Sequence, residues 1–120
     1  MKVNDYEKLV VWQKSMDLVS DIYFMTKSFP REEIYGLTSQ IRRSSVSIPS
    51  NIAEGSRRST GKDFRNFLYT SLGSASELET QIMIAYRLKF IEEKVNLVIT
   101  AKISEILRML NKLIESQTIS

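Results

Sequence analysis

The sequence predicts an all-α fold, an antiparallel up-down four-helix bundle with its second helix kinked at Pro49. Three observations predict it. Proline occurs only at positions 30 and 49 and glycine only at 36, 55, 61 and 73, and so few breakers favour long helices over many short strands. Apolar residues recur at spacings of three and four along separate stretches, the signature of a helix face turned to a core. The stretches are joined by short connections, which place consecutive helices side by side and antiparallel. A three-helix arrangement with one long bent segment is the alternative. At 120 residues, one domain covering residues 1–120 is expected, large enough to bury about 65% of its unfolded surface without metal or disulfide staples.

The first helix is expected from about Asp5 to Lys27. Asn4 and Glu7 have the spacing of a capping box, in which each side chain satisfies an orphan amide of the first turn. Leu9, Trp12, Met16, Val19 and Tyr23 form one apolar stripe, and Val11, Leu18, Ile22 and Met25 a second. Phe29-Pro30 ends the helix, because proline disfavours a helical residue before it. Pro30 then suits the first turn of the next helix, where its missing N–H is not needed, and Gly36 can break off that turn. Leu37, Ile41, Ser45, Ile48 and Ile52 lie on one face of the second helix.

The third helix starts near Ser59 to Gly61, with Thr60 and Asp63 available as caps. Phe64, Leu68, Ser71, Ala75, Leu78, Ile82 and Ala85 follow a strict alternation of four and three, the seam of a bundle helix. It ends near Leu88 to Ile91. The fourth helix runs roughly from Glu92 to Ser116, with Ile99, Ile103, Ile106, Leu110 and Leu113 in the same rhythm and Val98, Leu107 and Ile114 widening the face.

The stretch QIRRSSVSIPSNIAEGSRR, residues 40–58, mixes a helical rhythm with breakers, small hydroxyls and arginine pairs. Proline inside a helix costs about 3 kcal/mol or more when uncompensated. The apolar face nevertheless continues from Ile48 to Ile52, so one helix bent at Pro49 is expected. Ser44, Ser45, Ser47 and Ser50 can bond the freed backbone groups. Their small size matches Ser71-Leu72-Gly73-Ser74-Ala75-Ser76 on the third helix, and a crossing near Ser47 and Gly73 is expected. Glycine at position 73 costs a helix about 1 kcal/mol relative to alanine, which close backbone approach would offset. Gly55 suits a helix-terminating residue with positive φ. Glu54 is placed to pair with Arg43 or Arg58.

Composition narrows the function. The chain has no cysteine and no histidine. Disulfides, thiolate zinc sites and Cys-His or Ser-His-Asp devices are therefore excluded, and the absence of cysteine fits a reducing cytoplasm. The longest apolar run is five residues, Ile82–Tyr86, against about 20 for a membrane span. The start, MKVNDYEKL, has no apolar signal core. A cytoplasmic protein without a membrane role is expected. Di-metal bundles usually need Glu-x-x-His, while Glu77 and Glu79 point to different faces, so neither metal nor cofactor is expected. Tyr69 and Tyr86 read as residues flanking the core seam.

The net charge of +3 is unevenly placed: residues 40–65 hold six cations against Glu54 and Asp63, a sum of +4, and the remainder sums to −1. The six are Arg42, Arg43, Arg57, Arg58, Lys62 and Arg65. The ordinary reading of such a cluster is a solvated surface. The functional one is a phosphate-contacting surface for nucleic acid. Phe64 and Phe67 are the aromatics that interleave with it, and both are placed toward the core, so base stacking is not expected. Val11, Leu18, Met25, Val98, Leu107 and Ile114 exceed what one bundle seam needs. They point to self-association, which would bring copies of the basic stretch together.

Three segments carry a resemblance: LVVWQKSMDLV, SFPREEIYGLTSQIRRSSVSIPSNIAEGSRRS and DFRNFLYTSLGSASELETQI. Over about residues 5–90 the chain resembles the bundle proteins encoded in intervening sequences of bacterial 23S rRNA genes, the S23 family. The resemblance implies a four-helix bundle assembled as a ring-like homopentamer, with no established enzymatic activity. It also touches the accessory variability proteins of diversity-generating retroelements, which associate with a reverse transcriptase and nucleic acid through a basic surface. Carried onto this chain, the matching positions are Arg42, Arg43, Arg57 and Arg58. The expected function is a non-enzymatic homo-oligomer that associates with nucleic acid, RNA before DNA. The alternative is an accessory subunit for a protein partner such as a reverse transcriptase or ribosomal factor.

Overall fold

The computed structural model describes residues 5–117, which contain α1 (Val10–Thr26), α2 (Leu37–Ser56), α3 (Gly61–Arg87) and α4 (Glu93–Ser116). Each helix packs against the next, and α4 returns to α1, while the diagonal pairs make no close backbone approach among the described residues. The order is that of an antiparallel up-down bundle. Contacts between α2 and α3 show the antiparallel register: Ser44 meets Glu77, Ser47 meets Ser74 and Ile48 meets Ser71.

The core is one apolar column. Leu18, Ile22, Ile41, Ile48, Ile52, Leu68, Leu78, Ile82, Ile103, Ile106 and Leu110 are fully buried in it. Burial of each such side chain is worth about 1.5–3 kcal/mol. All seven seam residues of α3, Phe64 to Ala85, are buried. In α4 the column passes through Ile99, Ile103, Ile106 and Leu110 and then takes Ile114, with Leu113 only half-buried.

The first helix differs from the expected single rod. Asp5–Lys8 is a 3-10 turn, and Leu9 is extended (φ −72°, ψ 124°) before α1 begins. The expected cap at Asn4 lies outside the described residues. The two stripes of α1 also divide their duties. Val11, Leu18, Ile22 and Met25 enter the core, whereas Met16 and Tyr23 are exposed and Leu9, Trp12 and Val19 half-buried. Tyr69 and Tyr86 are likewise exposed rather than seam-flanking core. A stripe four and three apart has the same period whichever side of the helix it occupies, so the period alone does not say which stripe faces inward.

Each connection has a local cause. Pro30 caps a 3-10 turn, Arg31–Glu33, and Gly36 caps α2. Oε1 of Glu33 accepts from the Leu37 amide at 3.1 Å, so a carboxylate stabilises the positive end of α2. Phe29 and Phe90 pack their rings 5.5 Å apart and close this end of the bundle. Thr60 caps α3, its hydroxyl accepting from the Asp63 amide at 3.1 Å. After α3, Lys89 adopts φ 65°, and the amides of Phe90 and Lys89 donate to the carbonyls of Ala85 and Tyr86. This is a Schellman end with lysine where glycine is usual.

The helix α2 continues without a break through the buried Pro49. Side-chain donors reach the carbonyls around it. Ser45 donates to Arg42, Asn51 to Ser47, and Ser71 from α3 to Ile48, each at 2.8 Å. The two glycines do not do what was expected of them. Gly55 does not end α2 with a positive φ; α2 runs on to Ser56. A Cβ at Gly55 would stand 2.5 Å from Cβ of Phe67 and 3.3 Å from the Phe64 carbonyl oxygen, so Gly55 is the point of close approach between α2 and α3. Gly73 faces outward with open space where a Cβ would be. The small residues that meet α2 are its neighbours Ser71 and Ser74.

Candidate nucleic-acid interface

The six predicted cations fall into two groups. Arg57, Arg58, Lys62 and Arg65 surround the α2–α3 connection. Arg42 and Arg43 lie back along α2, about 20 Å away by helical rise. Adjacent helical residues point about 100° apart, and these two part accordingly. Arg42 turns to α1, where its Nε donates to the Thr26 hydroxyl at 2.8 Å and its guanidinium lies 4.7 Å from the Tyr23 ring centre. Arg43 turns to α3 and borders a polar groove of about 350 Å³ with Ser44, Ser47, Glu77 and Gln81.

The terminal group has a feature absent from the sequence reading. Its arginines are interleaved with aromatic rings. Arg57 lies 5.5 Å from the ring centre of Tyr6, Arg58 4.7 Å from Phe67 and Arg65 5.8 Å from Tyr69. Of the two phenylalanines expected in the core, Phe64 is buried and Phe67 only half-buried. A signal of spacing existed for one of the pairs. Tyr69 follows Arg65 by four positions, the spacing of neighbours on one helix face. Tyr6 could not be found that way, since it arrives from the far end of the chain.

Arg58 also bonds Glu54 at 2.8 Å, one of the two partners expected for that carboxylate. The pair is exposed, and such pairs contribute about 0–1 kcal/mol. It orders the arginine without removing it from solvent. Arg57 and Lys62 are exposed, and Arg65 is half-buried. Cation–π contact holds a guanidinium flat on a ring and leaves its outer N–H groups free to meet an anion. Chemically the end sets Arg57, Arg58, Lys62 and Arg65 against Glu54 and Asp63, and the turn that brings Tyr6 adds Asp5, Glu7 and Lys8, which leaves a small positive excess. Among the described residues no cluster of acidic side chains could hold a metal ion, and no helix is long and apolar enough to cross a membrane.

Fold and surface together define an all-α four-helix bundle whose charged end is built from arginine and aromatic pairs. The chain belongs to the family of 23S rRNA-intervening sequence proteins, whose model matches residues 7–112. It is similar to a crystal structure of a protein of unknown function from the S23 ribosomal protein family of Bacteroides thetaiotaomicron. The two are 29% identical, with a TM-score of 0.83 over 89% of this chain and all of the other. No curated protein matches the sequence.

Proposed function

We propose that this protein is a non-enzymatic, self-associating bundle that binds nucleic acid, foremost RNA, through the α2–α3 end. The observation that carries the reading is the gathering of Arg57, Arg58, Lys62 and Arg65 at one end with Tyr6, Phe67 and Tyr69 beside three of them. Guanidinium groups ordered on rings contact phosphates, and the exposed ring of Tyr69 offers its free face to a base. Arg43 extends the surface along α2, while Arg42 serves the α1–α2 contact. Catalysis has no part in this reading, since the chain lacks histidine and cysteine. A cytoplasmic location goes with it.

Self-association is the second part. Of the apolar residues expected to drive it, Val11, Leu18, Met25 and Ile114 lie instead in the core. Other apolar side chains stand exposed, among them Phe24, Ile34, Tyr35, Leu97 and Val98, and such surface marks interfaces. By family resemblance the assembly is a ring of five.

Filter binding of single-stranded RNA across a salt series tests the reading. With four to six phosphates neutralised per site, log affinity falls against log salt with a slope of about −3 to −4. No binding at low salt, or a flat dependence, removes it. Recovery of a protein partner that survives nuclease treatment would favour the accessory-subunit alternative.

A further inference from the structure

Two features at the opposite end of the bundle take no part in that surface, and each complements the other. The first is a groove of about 1180 Å³ between the last turns of α1, the α3–α4 connection and the first turns of α4. Phe24, Phe90, Val95 and Val98 supply its apolar lining. Phe24 is 77% exposed and Val98 53%, which is unusual for a concave apolar wall with nothing on it. Lys27, Lys89, Lys94 and Lys102 also line it, against the carboxylates of Asp21 and Glu92. Lys102 is paired with Asp21 and Lys27 lies over Phe24, while Lys89 and Lys94 have no ion pair among the described residues.

The second feature is a knob on the α1–α2 connection. Ile34 is 51% exposed and Tyr35 95%. The turn that carries them is held firmly, by Pro30, by the Gly36 amide donating to the Glu33 carbonyl at 2.9 Å and by the Glu33 cap on α2. Glu32 stands exposed beside them. A tyrosine at that exposure contributes nothing to the fold of its own chain, and it does not fill its own groove.

We infer that the Ile34–Tyr35 turn of one copy seats in the α1–α4 groove of the next, with Glu32 facing Lys89 and Lys94. Apolar knob meets apolar groove, and the carboxylate meets the unpaired ammonium groups. The contact joins different patches on the two partners, so it is head-to-tail and closes into a ring when the rotation permits. Knob and groove occupy the same end of the bundle, which sets neighbouring copies side by side and pointing the same way. The basic α2–α3 ends then gather on one rim. This inference rests on the self-association part of the proposed function and is independent of RNA binding.

Light scattering coupled to size exclusion on the full chain tests it. Tyr35→Ser and Phe24→Ser change exposed residues, so helicity by circular dichroism stays unchanged while each variant elutes as a monomer. Mixed, the two give a one-to-one dimer, since one retains the groove and the other the knob. Glu32→Lys and Lys94→Glu each raise the dissociation constant at least tenfold, and the chain carrying both recovers assembly. An oligomeric native protein whose variants keep its mass overturns the inference and leaves self-association through another face. A monomeric native protein overturns both. A groove that instead captures an acidic amphipathic peptide, with the native chain monomeric, also overturns it.

Discussion

Ser71 on α3 donates its hydroxyl proton to the main-chain oxygen of Ile48, 2.8 Å away, one residue before Pro49. Both residues are fully buried. Pro49 cannot donate to the Ser45 carbonyl four residues back, whereas the Ile48 carbonyl stays in the α2 ladder and takes the serine from the neighbouring helix as a second donor. The helix pair α2–α3 is therefore joined by a polar contact inside an otherwise apolar column.

That contact predicts a cost for its removal. Ser71→Ala takes away the donor while the Ile48 carbonyl stays out of reach of water. The carbonyl keeps its helical partner, the Ile52 amide, so the loss is one net hydrogen bond, about 0.5–1.5 kcal/mol. Urea unfolding should show a lower midpoint with an unchanged slope. Ser74→Ala, whose hydroxyl meets Ser47 at 2.8 Å in a part-buried position, should cost less, because water can replace the lost contact.

Alanine substitutions at two glycines should act in opposite directions. Gly55→Ala places a methyl group 2.5 Å from Cβ of Phe67 and against the Phe64 carbonyl. Neither neighbour is the free end of a flexible side chain, so the helices must separate, at about 1–3 kcal/mol. Gly73→Ala meets open space on an exposed helix face and should stabilise by about 1 kcal/mol. Thermal or urea unfolding of the two variants reads both signs.

Those glycines also show what the sequence disclosed and what it did not. The α3 seam was legible because seven apolar or small residues keep one spacing from Phe64 to Ala85, and every one of them is buried. The same spacing, extended along α2 through Ile41, Ser45, Ile48 and Ile52, arrives at Gly55, which marks it as a seam residue instead of a terminator. Gly73 lies between Ser71 and Ala75 and so off that seam. The α1 stripes were illegible for a different reason: two apolar faces compete, and only the placement of α2 and α4 decides between them. In the basic cluster the charges were readable from composition, but Tyr6 reaches Arg57 across half the chain, which no local pattern encodes.

Lys89 predicts a gain. Its φ of 65° puts an L-residue in the left-handed region, where a side chain costs about 1–2 kcal/mol. Lys89→Gly removes that strain, and part of the gain is offset by the greater freedom of glycine in the unfolded chain. A net stabilisation of about 0.5–1 kcal/mol is expected from urea unfolding, with both chains compared at one protein concentration. Lys89→Ala keeps the strain and should change stability little, which separates the backbone effect from loss of the charge.

The last prediction separates the two arginine groups by their work. Arg42 is half-buried, bonds Thr26 and covers Tyr23. Arg42→Ala loses a charge-assisted hydrogen bond and a cation–π contact, so stability should fall by about 1–3 kcal/mol, while the salt dependence of RNA binding keeps its slope. Lys62 is exposed in the first turn of α3, with no ion pair among the described residues. Lys62→Ala should leave the unfolding midpoint unchanged and make the slope of log affinity against log salt shallower by about 0.7, one phosphate's share for a single strand. Arg57→Ala should do the same and also release Tyr6. If Arg42→Ala moved the slope while Lys62→Ala and Arg57→Ala did not, phosphate contact would run along the α1–α2 face, and the α2–α3 end would be only a solvated surface.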